Sequence, residues 1–138
     1  MIGFTGTREG MTERQRRTCK KTLEYMCEYL GTYSRPVIHG GAIGADTQFH
    51  VIADDLGINI FVFPAHKDSF DYWSDKVAFI NLFDPKPPLE RNKEIVKRST
   101  ILIAAPYSLK EENRSGTWAT IRYARKWENG IPIIILDP

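Results

Sequence analysis

The sequence His39-Gly40-Gly41-Ala42-Ile43-Gly44-Ala45-Asp46 joins a short apolar strand pattern, residues 36–39, to a helix pattern that begins near Ala45. A turn without Cβ atoms lets an anion approach backbone N–H groups, and the helix that follows directs the positive end of its dipole at that anion. This junction therefore predicts a phosphate-binding loop at the end of a strand.

Two further glycine turns open helices. Gly3-Phe4-Thr5-Gly6-Thr7-Arg8 follows the first apolar strand, and Arg114-Ser115-Gly116-Thr117 precedes the last helix pattern. Loops that follow parallel strands lie at the carboxyl edge of the sheet, where ligands of doubly wound folds collect. We therefore expect the three turns to surround one nucleotide pocket.

Helix and strand patterns alternate along the chain, which predicts an α/β fold. We predict one Rossmann-like three-layer domain over residues 1–138, with a mainly parallel sheet of five strands. These strands are residues 1–5, 36–39, 58–63, 101–105 and 131–136. The first helix is predicted to start at Thr12, with a capping-box spacing to Gln15, and its apolar stripe runs through Leu30 and ends at Gly31. Residues 65–88 are predicted to form a loop with one short helix, long enough to cover a pocket.

Composition restricts the classes of function. The 138 residues are 42% hydrophobic and 26% charged, with a net charge of +2, which does not demand a nucleic-acid partner. The apolar runs are too short to cross a bilayer, so we expect a cytoplasmic protein without a membrane partner. The two cysteines of the chain, Cys19 and Cys27, share one helical pattern without a nearby cluster of histidines, and predict reduced core thiols rather than a disulfide or metal site. No cofactor is expected.

The first two turns supply most of the candidate ligand-binding residues. Backbone N–H groups are expected from Gly6 and Thr7, a bidentate phosphate contact from Arg8, and close backbone approach at Gly40 and Gly41. Gly44 is expected to let the helix pack tightly on the strand. Asp46 falls in the first turn of that helix, and three roles stay open: an acceptor for a ribose hydroxyl, an anchor for the loop, or a carboxylate stabilised by the helix dipole. His39 is expected to be a buried structural histidine, whereas His50 and His66 are assigned no role.

The other candidates come from the second half of the chain. Arg91 and Asn92 lie in the first turn of the helix that follows Pro88. Ser115, Gly116 and Thr117 offer hydroxyls and helix N-terminal N–H groups to a phosphate. Capping of the helix by Ser115 uses the same groups and does not exclude the site.

These motifs resemble the SLOG superfamily, a Rossmann-like group that includes the LOG phosphoribohydrolases and the DNA processing protein DprA/Smf. The stretch from His39 to Asp46 resembles the Ser-Gly-Gly-Ala-x-Gly-x-Asp loop of the DNA processing branch. The stretch Arg91-Asn-Lys-Glu-Ile95 resembles the Arg-Asn-Arg-x-Ile motif of that branch. The stretch Ser115-Gly-Thr-Trp-Ala-Thr120 resembles its helix start, Ser-Gly-Ser/Thr-x-x-Thr. The small stand-alone members related to YspA are more similar still, because they combine these motifs with the leading Gly-x-Thr/Ser-Gly-x-Arg turn.

The resemblance implies binding of a nucleotide or nucleotide-derived ligand. It also implies an alternative, a nucleoside 5′-monophosphate N-glycosidase that releases free base, although Ala119 and Thr120 stand where the LOG enzymes carry a catalytic carboxylate. Asp46, Glu90 and Glu94 are the candidate substitutes for that acid.

Two predictions concern partners. Single-stranded DNA binding of the DNA processing type is a second alternative, based on basic stretches such as Lys86 to Arg98, but a solvated helix face explains these charges as well. A homodimer is expected, because Tyr123 and Trp127 lie one helical turn apart, away from the line of Trp118 and Ile121. An aromatic side chain between Phe70 and Trp73 is a candidate to stack on a base.

Overall fold

The computed structural model describes residues 1–29, 35–65 and 81–138. Its strands are β1 (Ile2–Gly6), β2 (Val37–His39), β3 (Ile60–Val62), β4 (Asn81–Leu82), β5 (Ile101–Ala105) and β6 (Ile133–Ile135). The helices are α1 (Glu13–Tyr29), α2 (Ala45–Asp55), α3 (Pro88–Lys97) and α4 (Gly116–Lys126), and a 3-10 turn, Trp127–Asn129, follows α4.

The strands form one sheet in the order β4-β3-β2-β1-β5-β6, and every pair is parallel. The Rossmann-like α/β fold is therefore confirmed, but the sheet has six strands within the described residues instead of the expected five. The additional strand, β4, lies inside the segment that the sequence predicted as a loop. Both of its described residues are exposed at the sheet edge, and they show no apolar pattern that would indicate a strand.

The capping box predicted at the start of α1 is present. The N–H of Gln15 donates to Thr12 Oγ1 and the N–H of Thr12 donates to Gln15 Oε1, both at 3.0 Å. The Gln15 amide also donates to the carbonyls of Pro106 (2.8 Å) and Leu136 (3.1 Å). This one side chain therefore ties the start of α1 to the chain beyond β5 and β6. The predicted end of α1 at Leu30 and Gly31 lies outside the described residues.

Apolar side chains cover both faces of the sheet. On one face, α1 and α2 pack over β1 to β3, where the rings of Phe4 and Phe49 stack with centroids 4.1 Å apart. On the other face, α3 and α4 pack against β5 and β6, with Val96, Leu102 and Ala124 buried. Cys19 and Cys27 lie in the first of these cores as free thiols, and burial raises the pKa of Cys19 to about 12.

The direction of winding reverses at β1, because its neighbours are β2 on one side and β5 on the other. At such a point the loops after the two neighbouring strands diverge and leave a crevice at their carboxyl ends. In the described ranges, no helix is long and apolar enough to cross a membrane, and no group of three or more His, Cys, Asp or Glu side chains is placed to hold a metal ion.

Candidate functional site

A cavity of about 730 Å³ opens at the carboxyl ends of β1 and β5. Its volume is in the range of small-molecule sites. Ten of the twelve predicted ligand-binding residues line it: Gly6, Thr7, Arg8, Gly40, Asp46, Arg91, Asn92, Ser115, Gly116 and Thr117. The structure thus brings the separate sequence motifs to one place, and their binding of a ligand stays a prediction.

The loop after β1 is fixed to its neighbours through the backbone of Thr7. Its N–H donates to the carbonyl of Ala105 at the end of β5, and its carbonyl accepts the N–H of Ala45 at the start of α2, both at 3.0 Å. The N–H of Thr7 was predicted to bind phosphate, but the bond to Ala105 engages it instead. Gly6 is needed because a Cβ there would lie 2.4 Å from the Cβ of Ala45. Arg8, the next residue, is exposed at the cavity.

Asp46 anchors the loop after β2. Its Oδ2 accepts the backbone N–H groups of Gly40 and Ala42, each at 3.1 Å. Only 5% of Asp46 is exposed, and it belongs to the first turn of α2. Of the three roles left open by the sequence, the structure shows the loop anchor.

The other two glycines of this loop do not line the cavity. A Cβ on Gly41 would lie 2.8 Å from Cγ1 of Val62, so this residue faces β3. Gly44 was expected to let the helix pack on the strand, but it instead contacts the loop after β1. A Cβ on Gly44 would lie 2.3 Å from the carbonyl oxygen of Arg8, so the two loops touch at this residue.

Arg91 connects α3 to the same loop. Its Nη1 donates to the carbonyl oxygens of Gly40 (2.5 Å) and Phe63 (3.3 Å), and only 8% of the residue is exposed. Burial lowers the pKa of Arg91, and Asp46 opposes this shift. Among the described residues, the buried Nε has no hydrogen-bond partner. Arg91 therefore positions the loop and also lines the cavity, and its Nε–H is not used in a hydrogen bond to any described residue.

Two histidines that the sequence did not connect form a buried pair below the loop. Nδ1 of His39 accepts the N–H of Gly41 at 3.0 Å, so its proton lies on Nε2, which is 2.8 Å from Nδ1 of His50. His39, the predicted structural histidine, is completely buried, and His50 is 1% exposed. A sequence signal existed, since His50 falls next to Phe49 on the buried side of α2.

This buried cluster predicts how stability depends on pH. Burial lowers the pKa of both histidines, whereas burial raises the pKa of Asp46 to about 6. Below about pH 6.5 the unfolded chain protonates both histidines while the folded chain keeps them neutral, so stability is lost as the pH falls. Asp46 acts oppositely between about pH 6 and 4, because the folded chain holds a proton there that the unfolded chain releases.

The combined effect of His39 and His50 outweighs the opposite effect of Asp46. The free energy of unfolding is therefore expected to be about 1–2 kcal/mol lower at pH 5.5 than at pH 7.5. Urea denaturation at the two pH values measures the difference. In His50→Gln the loss should fall by more than half, because one of the two histidines is gone while the opposing effect of Asp46 remains. Equal stability of the parent protein at both pH values would contradict the assignment of neutral histidines.

The start of α4 forms the opposite wall of the cavity. Ser115 caps the helix, since its Oγ accepts the N–H of Trp118 at 3.3 Å. The first-turn N–H groups of Gly116 and Thr117 have no intrahelical acceptor, as at every helix N-terminus. A Cβ on Gly116 would meet nothing within 4 Å, so the space in front of this turn is open. Ser115 therefore caps the helix without filling the space in front of its first turn.

The three candidate acids are separated by the fold. Asp46 lines the cavity, but neither Glu90 nor Glu94 does. Glu94 accepts a hydrogen bond from Arg98 and pairs with Lys97 (3.4 Å) and Lys86 (3.7 Å). The hydrogen bond from Arg98 lowers the pKa of Glu94, which keeps it ionised on the outside of α3. Glu90 is exposed. Glu90 is one residue before Arg91, so helical periodicity turns it to a different face. Glu94 is three residues after Arg91, and its carboxylate is instead engaged by Arg98, Lys97 and Lys86.

Four exposed loop residues outside the predicted ligand-binding set are among the others that line the cavity: Glu9, Tyr107, Glu112 and Arg114. In loops, spacing alone does not indicate the direction of a side chain. At the position where the LOG enzymes carry an acid, the hydroxyl of Thr120 donates to the carbonyl of Gly116 at 2.9 Å. The aromatic candidates between Phe70 and Trp73 lie outside the described residues.

The side chains expected at a dimer interface already have contacts within the chain. The rings of Tyr123 and Trp127 stack with centroids 5.9 Å apart, and both pack against the core beneath α3 and α4. The ammonium groups of Lys93 and Lys97 lie 5.6 Å and 5.5 Å from the centroids of these two rings. The homodimer stays a prediction.

The chain matches no protein-family model and none of the curated proteins with which it was compared. It is similar to two solved structures of DNA processing protein A. The protein from Streptococcus pneumoniae superposes with a TM-score of 0.68 at 17% identity, over 97% of this chain and 49% of that one. The protein from Helicobacter pylori, whose structure concerns single-stranded DNA binding, gives a TM-score of 0.66 at 18% identity, over 97% of this chain and 63% of that one. The chain therefore spans about half to two thirds of these proteins and shares their Rossmann-like fold.

Proposed function

We propose that this protein binds a nucleotide or a nucleotide-derived ligand in this cavity, with the phosphate at the first turn of α4. The observation that carries the proposal is the convergence of the β1 loop, the β2 loop, Arg91 and the start of α4 on one cavity. The fold likeness and the motif pattern together also favour membership of the SLOG superfamily, with the YspA-related members as the more specific assignment.

The hydrogen-bond donors of the residues that line the cavity support an anionic ligand. The cavity carries the N–H groups at the start of α4, the hydroxyls of Thr7 and Thr117, and the buried guanidinium of Arg91. A helix N-terminus with a fixed cation beside it stabilises a phosphate without any overall excess of positive charge. This matters because three arginines and three carboxylates line the cavity: Arg8, Arg91, Arg114, Glu9, Asp46 and Glu112.

Arg8 provides the cleanest test, since it is exposed at the cavity. Arg8→Ala is expected to raise the Kd for adenosine 5′-monophosphate about tenfold, the effect of losing one charge-assisted hydrogen bond, while the melting temperature stays unchanged. Calorimetric titration measures the Kd. Arg17→Ala removes an exposed arginine from α1, away from the cavity, and should bind like the parent protein. No binding by the parent across ribo- and deoxyribonucleotides would contradict the proposal.

Single-stranded DNA is the second candidate ligand. It is favoured by the likeness to the two DNA processing proteins, one of which is described by its single-stranded DNA binding mode. Oligonucleotide binding that falls steeply with salt would support it, because each neutralised phosphate releases counterions. A nucleoside monophosphate that binds as tightly as an oligonucleotide would favour the small ligand.

Hydrolysis of the N-glycosidic bond is a further activity that a nucleotide site permits. Such a reaction requires a carboxyl group to protonate the leaving base or to stabilise the oxocarbenium-like state. Of the acids nominated from the sequence, Asp46 alone lines the cavity, and its Oδ2 is engaged by two loop amides. The binding function is therefore better supported than the hydrolase.

A further inference from the structure

A second, smaller cavity lies in the groove between α3 and α4. Its volume is about 270 Å³, and it shares Leu89, Asn92 and Thr120 with the main cavity. The groove therefore continues from the proposed nucleotide site. Tyr123 and Ala119 add to its apolar wall, and the exposed side chain of Leu89 forms its edge.

The charges of the groove differ from those of the main cavity. Every charged residue that lines it within the described part of the chain is a cation: Lys93, Arg122 and Lys126. Lys93 lies 5.6 Å from the ring centroid of Tyr123, so one ammonium is held directly above the apolar wall. Arg122 is paired with Glu111 at 3.0 Å. An apolar wall with a cationic rim is complementary to a ring or sugar that carries an additional anionic group.

Position along α4 restricts where that anionic group sits. Arg122 and Lys126 are six and ten residues beyond Gly116, which places them about 9 Å and 15 Å along the helix axis from the proposed phosphate turn. Adjacent phosphate groups share a bridging oxygen and lie too close together to span this separation. Phosphate groups on the 3′ and 5′ oxygens of one ribose are farther apart. Long side chains on a helix point back toward its N-terminus, so Arg122 and Lys126 reach nearer to the first turn than their positions along the axis.

We propose that the groove is a second anion subsite and that the ligand is a nucleoside 3′,5′-bisphosphate or a small nucleotide containing that unit. One phosphate lies at the first turn of α4, and the other lies among Lys93, Arg122 and Lys126, with the nucleoside against Leu89 and Tyr123. This inference rests on the proposed nucleotide-binding function and adds the spacing of the phosphates.

Adenosine 3′,5′-bisphosphate and adenosine 5′-diphosphate form a matched pair of probes, since each has one base, one sugar and two phosphate groups. Calorimetric titration of the parent protein is expected to give a Kd about fivefold or more lower for the 3′,5′-bisphosphate. Lys126→Glu should remove this preference and leave the Kd for adenosine 5′-monophosphate unchanged. Lys21→Glu, an equal charge reversal on the exposed side of α1, should keep the preference.

Equal affinities for the two probes in the parent protein would overturn the groove subsite but not the proposed nucleotide binding. An equal loss of monophosphate and bisphosphate binding in Lys126→Glu would have the same meaning. A single-stranded oligonucleotide that binds far more tightly than either probe, with a steep dependence on salt, would also overturn it, because the occupant would then be a nucleic-acid strand. Absence of binding by all three adenine nucleotides would overturn the proposed function together with this inference.

Discussion

Replacement of Arg91 by alanine is expected to lower the free energy of unfolding by about 3 kcal/mol and to abolish nucleotide binding. The guanidinium is 8% exposed and donates to the carbonyls of Gly40 and Phe63. Its removal leaves these buried carbonyls without that donor and takes the nearest cation away from Asp46, which is also buried. Loss of one partner from a buried charged network is among the most destabilising single changes.

Chemical denaturation measures the stability, and calorimetric titration with adenosine 5′-monophosphate measures the binding. Lys97→Ala is a matched control on the same helix, since it removes an exposed cation whose contacts are with Glu94 and the ring of Trp127, and it should cost less than 1 kcal/mol. Arg91→Lys keeps the charge without the planar fork and should fall between the two. A cost below 1 kcal/mol for Arg91→Ala would show that this arginine does not hold the β2 loop.

Gly44→Ala is expected to cost about 3 kcal/mol, because two separate penalties act at this residue. Its φ is +88°, a conformation that disfavours any side chain, and the added Cβ would lie 2.3 Å from the carbonyl oxygen of Arg8 and 2.8 Å from that of Thr7. The backbone of the β1 loop must then move away from α2. That movement displaces Thr7 and Arg8 from the cavity, so nucleotide affinity should fall as well.

Gly57→Ala separates the two penalties. Gly57 follows α2 with a φ of +69°, but a Cβ there would meet nothing within 4 Å. This substitution should cost only the conformational penalty of about 1 kcal/mol and leave nucleotide affinity unchanged. Urea denaturation of both variants gives the comparison. Equal costs at the two glycines would mean that the β1 and β2 loops do not press against each other at Gly44.

The sequence predicted the order of the elements and the edge of the sheet at which the motifs meet, because both follow from local patterns. Apolar strands followed by glycine turns are visible over a few residues, and parallel pairing then brings the turns to one edge. The two-residue strand β4 was missed, since Asn81 and Leu82 have no apolar alternation and pair only with β3 at the edge. The capping box of α1 was predicted correctly because it depends on two residues three positions apart.

Directions of side chains were harder to predict than positions. Arg91 was predicted to bind ligand, and its Nη1 also donates to the carbonyls of Gly40 and Phe63, which come from two other elements. Glu90 and Glu94 are near Arg91 in sequence and still do not line the cavity. Glu90 lies on another face of the helix, and Glu94 is engaged by Arg98, Lys97 and Lys86. Glu9 and Glu112 reach the cavity from loops without any recognisable spacing.

Backbone amide resonances, followed during a titration with adenosine 5′-monophosphate, report whether the β1 loop and the start of α4 form one anion site. The amides of Gly6, Thr7, Gly116 and Thr117 are expected to shift together along one saturable curve, while those on the exposed side of α1 stay unchanged. Saturable binding that leaves these four amides unperturbed would contradict such a site.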